Sequence, residues 1–254
     1  MEDETKFRSL RKWNLSMGFL HLIQGILMLI LSSNFSLPVV GNFLKFNITT
    51  MSLSPQAQTL FELRIGPAIA VFLFLSALAH FAVSTIFYSC YKKNLSGHIN
   101  PARWIEYSLS ASLMIVIIAL LVGIYDIAAL TVIFGLNAAM ILFGWMMELH
   151  NQSLTKTNWT AFLFGSIAGI IPWIAIAIYL FSAGEPGNRA PNFVYWIYFS
   201  IFLFFNCFAI NQVLQYKKLG RWVDYLYGEK VYIILSLVAK SLLAWQVFAG
   251  TLRP

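Results

Sequence analysis

The chain has 254 residues, 59% of them hydrophobic and only 11% charged, with a mean hydropathy of +0.73. Soluble domains carry about 25% charged residues, so a soluble core cannot absorb this excess and the chain reads as an integral membrane protein. A net charge of +7 and a pI near 9.4 would suit nucleic acid in a soluble protein; in a membrane protein they read as a basic cytoplasmic rim, and no nucleic-acid partner is expected.

A membrane span needs about 20 apolar residues. Seven segments meet that length: 13–32, 65–91, 104–124, 128–147, 159–180, 193–214 and 231–248. The expected fold is all-α, one seven-helix bundle formed by residues 1–254 as a single membrane domain. The first segment is too long for a cleavable signal peptide and has no small-residue cleavage site. Most connections are short, which makes the helices sequential neighbours. One is long: residues 33–58, rich in Asn, Ser, Thr and Pro, where alternation around Gly41-Asn42 predicts a small extracellular hairpin lying on the membrane surface. No internal repeat stands out, which counts against an inverted-repeat transporter. Cys90 and Cys207 fall in or beside different spans without metal spacing and read as packing residues, and no metal site is expected.

Orientation follows from the basic residues. Lys6, Arg8, Arg11, Lys12, Lys92, Lys93, Arg103, Lys156, Lys217, Lys218, Arg221 and Lys230 fall on the N-terminal side of the bundle. Lys45, Arg64, Arg189 and Arg253 fall on the other. The positive-inside rule therefore predicts a multi-pass protein of the cell membrane with a cytoplasmic N-terminus and an extracellular C-terminus.

Ionisable residues inside the spans are few: Lys240, Glu106, His21 and His80, with Glu62, Arg64, Asp126 and Glu148 expected at span ends. Between Lys230 and Arg253, Lys240 is the only charged residue, and a central lysine in a bilayer costs a few kcal/mol. Asn100-Pro101 reads as an N-cap followed by proline at the first helical position. That puts Glu106 about 7.5 Å into the third helix and Lys240 about 15 Å beyond Lys230. The lysine stem leans back toward the helix start, so its nitrogen falls within a turn of Glu106 in depth. Ser236, four residues earlier, lies on the same face.

One reading of this pair is structural: a Lys–Glu contact that fixes helix register. The other is chemical. A desolvated amine favours its neutral form, and a neutral lysine condenses with an aldehyde to a Schiff base. Lys240 would be the attachment point and Glu106 the counterion. His21 and His80, on different helices at similar depth, read either as packing residues or as a proton relay.

The stretches SLVAKSLLAWQVFAG around Lys240, RWIEYSLSAS around Glu106, ILFGWM in the fourth span and GSIAGIIPW in the fifth make the chain resemble the heliorhodopsins, the inverted seven-helix branch of the microbial rhodopsins. The resemblance runs from Trp13 to the C-terminus. It implies all-trans retinal on Lys240, Glu106 as the single carboxylate counterion, and Ser236 and Ser76 beside the Schiff base. It also implies a polar cytoplasmic cavity lined by His21, His80, Asn100 and Tyr107, and a retinal pocket lined by Asn137, Met140, Gly144, Trp173, Phe205 and Gln212. Ordinary interhelical packing is the alternative for each of those six.

Proton pumps of the ordinary branch carry a second carboxylate eleven residues after the counterion, where this chain has Ile117, and an acid four before the lysine, where it has Ser236. Net ion pumping is therefore disfavoured, and a light sensor or regulator that is not an enzyme is expected. Expected partners are retinal, the lipid bilayer, a second copy of the chain in a homodimer, and an unidentified cytoplasmic or membrane signalling partner. The competing readings are light-driven or light-gated proton transport, a retinal-free proton-coupled transporter using Glu106, Lys240 and the histidines, and a scaffold.

Overall fold

A computed structural model of the protein describes residues 2–182 and 189–253. In chain order they form α1 (Glu2–Leu31), β1 (Ser36–Asn47), β2 (Ser52–Arg64), α2 (Ile65–Ser84), α3 (Tyr88–Ser96), α4 (Pro101–Leu121), α5 (Ile127–His150), α6 (Thr160–Ser182), α7 (Asn192–Lys217), a 3₁₀ turn (Gly220–Val223) and α8 (Tyr225–Val247), which runs on into a π turn (Phe248–Leu252). Among the described residues, all of these helices except α3 are long and apolar enough to cross a membrane, seven in total. They alternate in direction, so the bundle has an N-terminal face, with α3 and the 3₁₀ turn, and an opposite face that carries the hairpin.

The second span is shorter than its apolar length predicts. It stops at Ser84 rather than running to residue 91. Ser84 Oγ donates to the His80 carbonyl (2.7 Å) and Thr85 Oγ1 to the Phe81 carbonyl (2.6 Å), so side-chain hydroxyls occupy acceptors at the helix end. The chain then turns and restarts as α3. At the other extreme, α8 begins at Tyr225, earlier than the expected residue 231, because Asp224 caps it by accepting from Leu226 N (2.9 Å).

The hairpin also differs from expectation. Its turn lies at residues 48–51, and Gly41 and Asn42 sit mid-strand opposite Gln58 and Ala57. Asn47 makes the turn: its Oδ1 accepts from Thr49 N (2.9 Å) and Thr50 N (3.3 Å), an Asx turn that alternation alone does not reveal. The strands pair antiparallel from Ser36–Arg64 to Asn47–Ser52, so Glu62 and Arg64 belong to β2, and Arg64 stands at the start of the second span as the residue before α2. The hairpin is tied down where Val40 N donates to the Tyr125 carbonyl (2.9 Å) and Asn42 Nδ2 donates to Asp126 Oδ2 (3.0 Å).

The main apolar core lies in the hairpin half of the bundle. Ile69, Phe72 and Leu73 of α2 meet Ile115, Ile117 and Ile118 of α4 and Leu243 and Val247 of α8, all fully buried. This block fixes the depth at which the polar side chains of the other half sit.

Candidate functional site

Three helices converge on Lys240. From α8, its Nζ stands 2.7 Å from Glu106 Oε1 of α4, 2.6 Å from Ser76 Oγ of α2 and 3.1 Å from Ser236 Oγ one turn back on its own helix. Ser76 in turn donates to Glu106 Oε1 (2.7 Å), so the hydroxyl accepts from the amine and donates to the carboxylate. Lys240 is 3% exposed. At that burial neither charge is tolerable alone, and each is offset by the other and by the hydroxyls. The pairing expected from helix rise is present in the geometry.

Lys240 lines a cavity of about 410 Å³ between α4, α5, α6, α7 and α8. Its walls are largely apolar. Trp173 packs edge-on against Phe202 and Phe205, with ring centroids 5.1 and 5.3 Å away. Glycines let other walls close in: a Cβ at Gly144 would run into the Trp104 ring, and one at Gly169 into Met140 Sδ. Among the residues expected around the pocket, Tyr107, Met140, Gly144, Trp173, Phe205, Gln212 and Ser236 line this cavity. Asn137 does not. It is fully buried and gives its Nδ2 to Ser112 Oγ (3.0 Å) between α5 and α4, and Met140, almost one turn on, forms the wall instead.

A second, small cavity of about 40 Å³ lies on the N-terminal side of Glu106. His80, Asn100, Tyr107 and Glu106 line it, together with Asn14, Arg103, Glu229 and Tyr232. His80 Nδ1 is 2.7 Å from Asn14 Oδ1. His21 is not on the cavity wall. It stacks on His80, rings 5.6 Å apart and 9° from parallel, with both nitrogens buried and without a hydrogen-bond partner among the described residues. Tyr107 and Tyr232 line both cavities, and Tyr107 OH donates to the Tyr232 carbonyl (2.9 Å), so this pair partitions the two spaces.

The sequence reading missed what closes the small cavity. Arg103, which the sequence places at the basic rim, is buried and paired with both Glu148 and Glu229. Asn100 does more than cap α4. It accepts from Arg103 N (3.2 Å), gives its own N–H to Glu148 (2.9 Å) and its Nδ2 to Glu229 (2.6 Å). Trp104 Nε1 donates to Glu148 as well (2.7 Å). A signal was present in the spacing. Glu229 precedes Lys240 by eleven residues, close to three whole turns, and Arg103 precedes Glu106 by three. Both members therefore share the faces that carry the Lys240–Glu106 pair.

The heliorhodopsin family model matches residues 10–252. The chain belongs to the heliorhodopsin family. No curated protein matches the sequence. Membership makes the chain a multi-pass membrane protein of the light-sensing, retinal-type kind, and the residues present suit a retinal: an apolar, aromatic-walled cavity of a size usual for ligand pockets, with an amine on its wall. For a heliorhodopsin, Lys240 is the one amine on that cavity wall among the described residues, and the glycines at 144 and 169 stand where any larger side chain would displace Trp104 or Met140.

Proposed function

We propose that the protein is a photosensory or regulatory heliorhodopsin in which Lys240 carries all-trans retinal as a protonated Schiff base with Glu106 as counterion. The observation that carries this reading is the 2.7 Å approach of Lys240 Nζ to Glu106 at the wall of the large apolar cavity. Retinal, when bound, supplies the light absorption and the isomerisation. The chain supplies the rest. Glu106 offsets the positive nitrogen, Ser76 and Ser236 orient it, and the aromatic wall around Trp173 and Phe205 excludes water from the linkage.

The proton on that nitrogen has one polar neighbourhood to enter. Ser76, Glu106, His80 and Asn100 all lie toward the N-terminal face, which we assign to the cytoplasm from the distribution of lysines and arginines. Beyond Lys240 the bundle is the apolar core. A proton that leaves the site should therefore move into the small cavity and return from it, and the two stacked histidines together with Asn14 are suited to share it. The remaining features of this reading are a single membrane domain in the cell membrane, assembly as a homodimer, and a cytoplasmic or membrane partner that receives the signal.

The test is a visible spectrum of purified protein with and without added retinal, together with the pH of a suspension of illuminated cells. A visible band that needs retinal, and no sustained pH change that an uncoupler removes, are the expected results. A sustained, uncoupler-sensitive pH change would replace the sensor reading with a pump.

A further inference from the structure

The buried Arg103 cluster has a charge imbalance that the Lys240–Glu106 pair does not share. One guanidinium faces two carboxylates, both nearly inaccessible: Glu229 is 1% and Glu148 2% exposed. Lys240 and Glu106 cancel; the Arg103 cluster is left formally one negative charge in excess. No other cation compensates it among the described residues lining the small cavity. A buried uncompensated charge is costly, and binding one proton removes it while Arg103 keeps a partner.

The same cavity reaches from Glu106 to Glu229. Its volume of about 40 Å³ leaves room for about two or three waters, enough to connect the two carboxylates. The titratable or charged groups around Glu229 are His80 from α2, Tyr91 from α3, Arg103, Glu106 and Tyr107 from α4, Glu148 from α5, Tyr216 from α7, and Tyr225 and Tyr232 from its own helix. Asn100 Nδ2 donates to one Glu229 oxygen and Arg103 to the other, and Glu229 is the one member of the excess pair that reaches the cavity wall.

We propose that Glu229 is a second proton carrier of this site, taking up the proton that light drives into the small cavity and holding it until the dark state is restored. The proposal rests on the retinal reading above. In the step, the proton leaves the Glu106 side of the cavity and binds a Glu229 carboxylate oxygen; Glu229 becomes neutral and Arg103 remains paired with Glu148. The reverse transfer closes the cycle, and no atom or charge leaves the protein. Glu148, turned away from the cavity toward Trp104, Tyr225 and the Asn100 backbone, holds Arg103 in place and is a positioning residue.

Light-minus-dark infrared difference spectroscopy on the full-length, retinal-loaded protein tests this. A carboxylic-acid C=O band should grow on illumination, disappear in Glu229→Gln and persist in Glu148→Gln. Recovery of the dark spectrum after a flash should also change by about tenfold or more in Glu229→Gln, the scale at which a positioned proton carrier acts. Should Glu229→Gln not fold, Glu229→Asp keeps the charge beside Arg103, and the band should then move to the position of an aspartic acid. A light-induced band that is the same in either Glu229 variant as in the unmodified protein overturns the assignment. Failure of the unmodified protein to form any retinal pigment is a different result, and it refutes the retinal reading itself.

Discussion

The two halves of the bundle treat polar groups in opposite ways. On the N-terminal side of Lys240 the interior holds Glu106, His21, His80, Asn14, Asn100, Arg103, Glu148 and Glu229, nearly all of them buried and most of them bonded to one another. On the hairpin side, the equivalent layer is Ile69, Leu73, Met114, Ile117, Ile118, Leu243 and Val247, with no carboxylate, histidine or amine buried among them in the described residues. Lys240 sits at the boundary. Charge can therefore be rearranged on one side of the lysine and not across it, because an ion entering the hairpin half would find no partner to replace its water.

The boundary between the two halves depends most on the lysine itself. Lys240→Ala should abolish the retinal-dependent visible band altogether. No other described lysine lines the large cavity, and Lys230, the nearest along α8, holds its ammonium 4.6 Å from the Trp13 ring centre at the N-terminal face. An acid-stable retinal adduct in the variant, detected by mass spectrometry, would move the attachment site.

Glu106→Gln weakens the boundary without removing it. The new amide and the Ser76 and Ser236 hydroxyls would then stand near the nitrogen, and neutral groups do not offset a buried positive charge as a carboxylate does. At neutral pH without added anions the proton on that nitrogen should be lost and the colour should move to the near ultraviolet. Colour that stays unchanged through a pH titration would assign the counterion elsewhere, and Glu229 would be the first carboxylate to substitute.

Sharpening the contrast means placing a charge on the wrong side. Ile117 is fully buried, eleven residues or about three turns of helix beyond Glu106. Ile117→Asp removes a packed side chain and leaves a carboxyl without a partner, a combination that should cost about 4 kcal/mol or more. Thermal unfolding in detergent measures it. Unchanged stability, or a light-driven pH change in cells carrying the variant, would show that the hairpin half is wetter than its packing implies.

How much of this was legible beforehand differs between the halves. The seven spans and the Lys240–Glu106 contact follow from local quantities: apolar run length, helix rise and the spacing of a few charges. The short second span was hidden because two hydroxyl residues, Ser84 and Thr85, do not interrupt an apolar run that resumes at Ile86, and their effect depends on which backbone carbonyls their hydroxyls reach. The Arg103 cluster was hidden for a different reason. Basic residues next to a predicted helix start count as rim charges in any orientation rule, and only the tertiary approach of α5 and α8 turns this one inward. Asn137 shows the converse. The family resemblance implies it on the pocket wall, with interhelical packing as the alternative, and its side chain bonds Ser112 on the next helix.

A smaller effect is expected at the pocket wall itself. Gly169→Val would drive a branched side chain into Met140 Sδ, part of a flexible side chain that lines the same cavity. Overpacking of this kind costs about 1–3 kcal/mol. Here it should appear chiefly as a shifted visible maximum and slower uptake of retinal, with the helical content by circular dichroism unchanged. A spectrum and uptake rate identical to those of the unmodified protein would mean that Met140 does not bound the occupied cavity.

The least expected effect lies at the far edge of the quiet half, where Asp126 joins the hairpin to the bundle. Its Oδ1 caps α5 by accepting from Ala128 N (3.0 Å) and Ala129 N (3.1 Å), and its Oδ2 accepts from Asn42 of β1. The Ala129 N–H bond, with help from Asn42 and Ala128, holds this carboxyl below the ordinary aspartate value of 3.8. A depressed folded-state value means that the contribution is complete above about pH 4 and is lost as the pH falls through that lower value. Asp126→Ala should therefore cost about 1 kcal/mol near neutral pH, as loss of a helix cap does. The cost should shrink toward zero in strong acid, where the unmodified protein has lost the same charge. Because the site is exposed and distant from Lys240, the visible spectrum should not move. A variant whose deficit stays constant from neutral pH into acid would show that Asp126 acts through packing of the hairpin rather than through its charge.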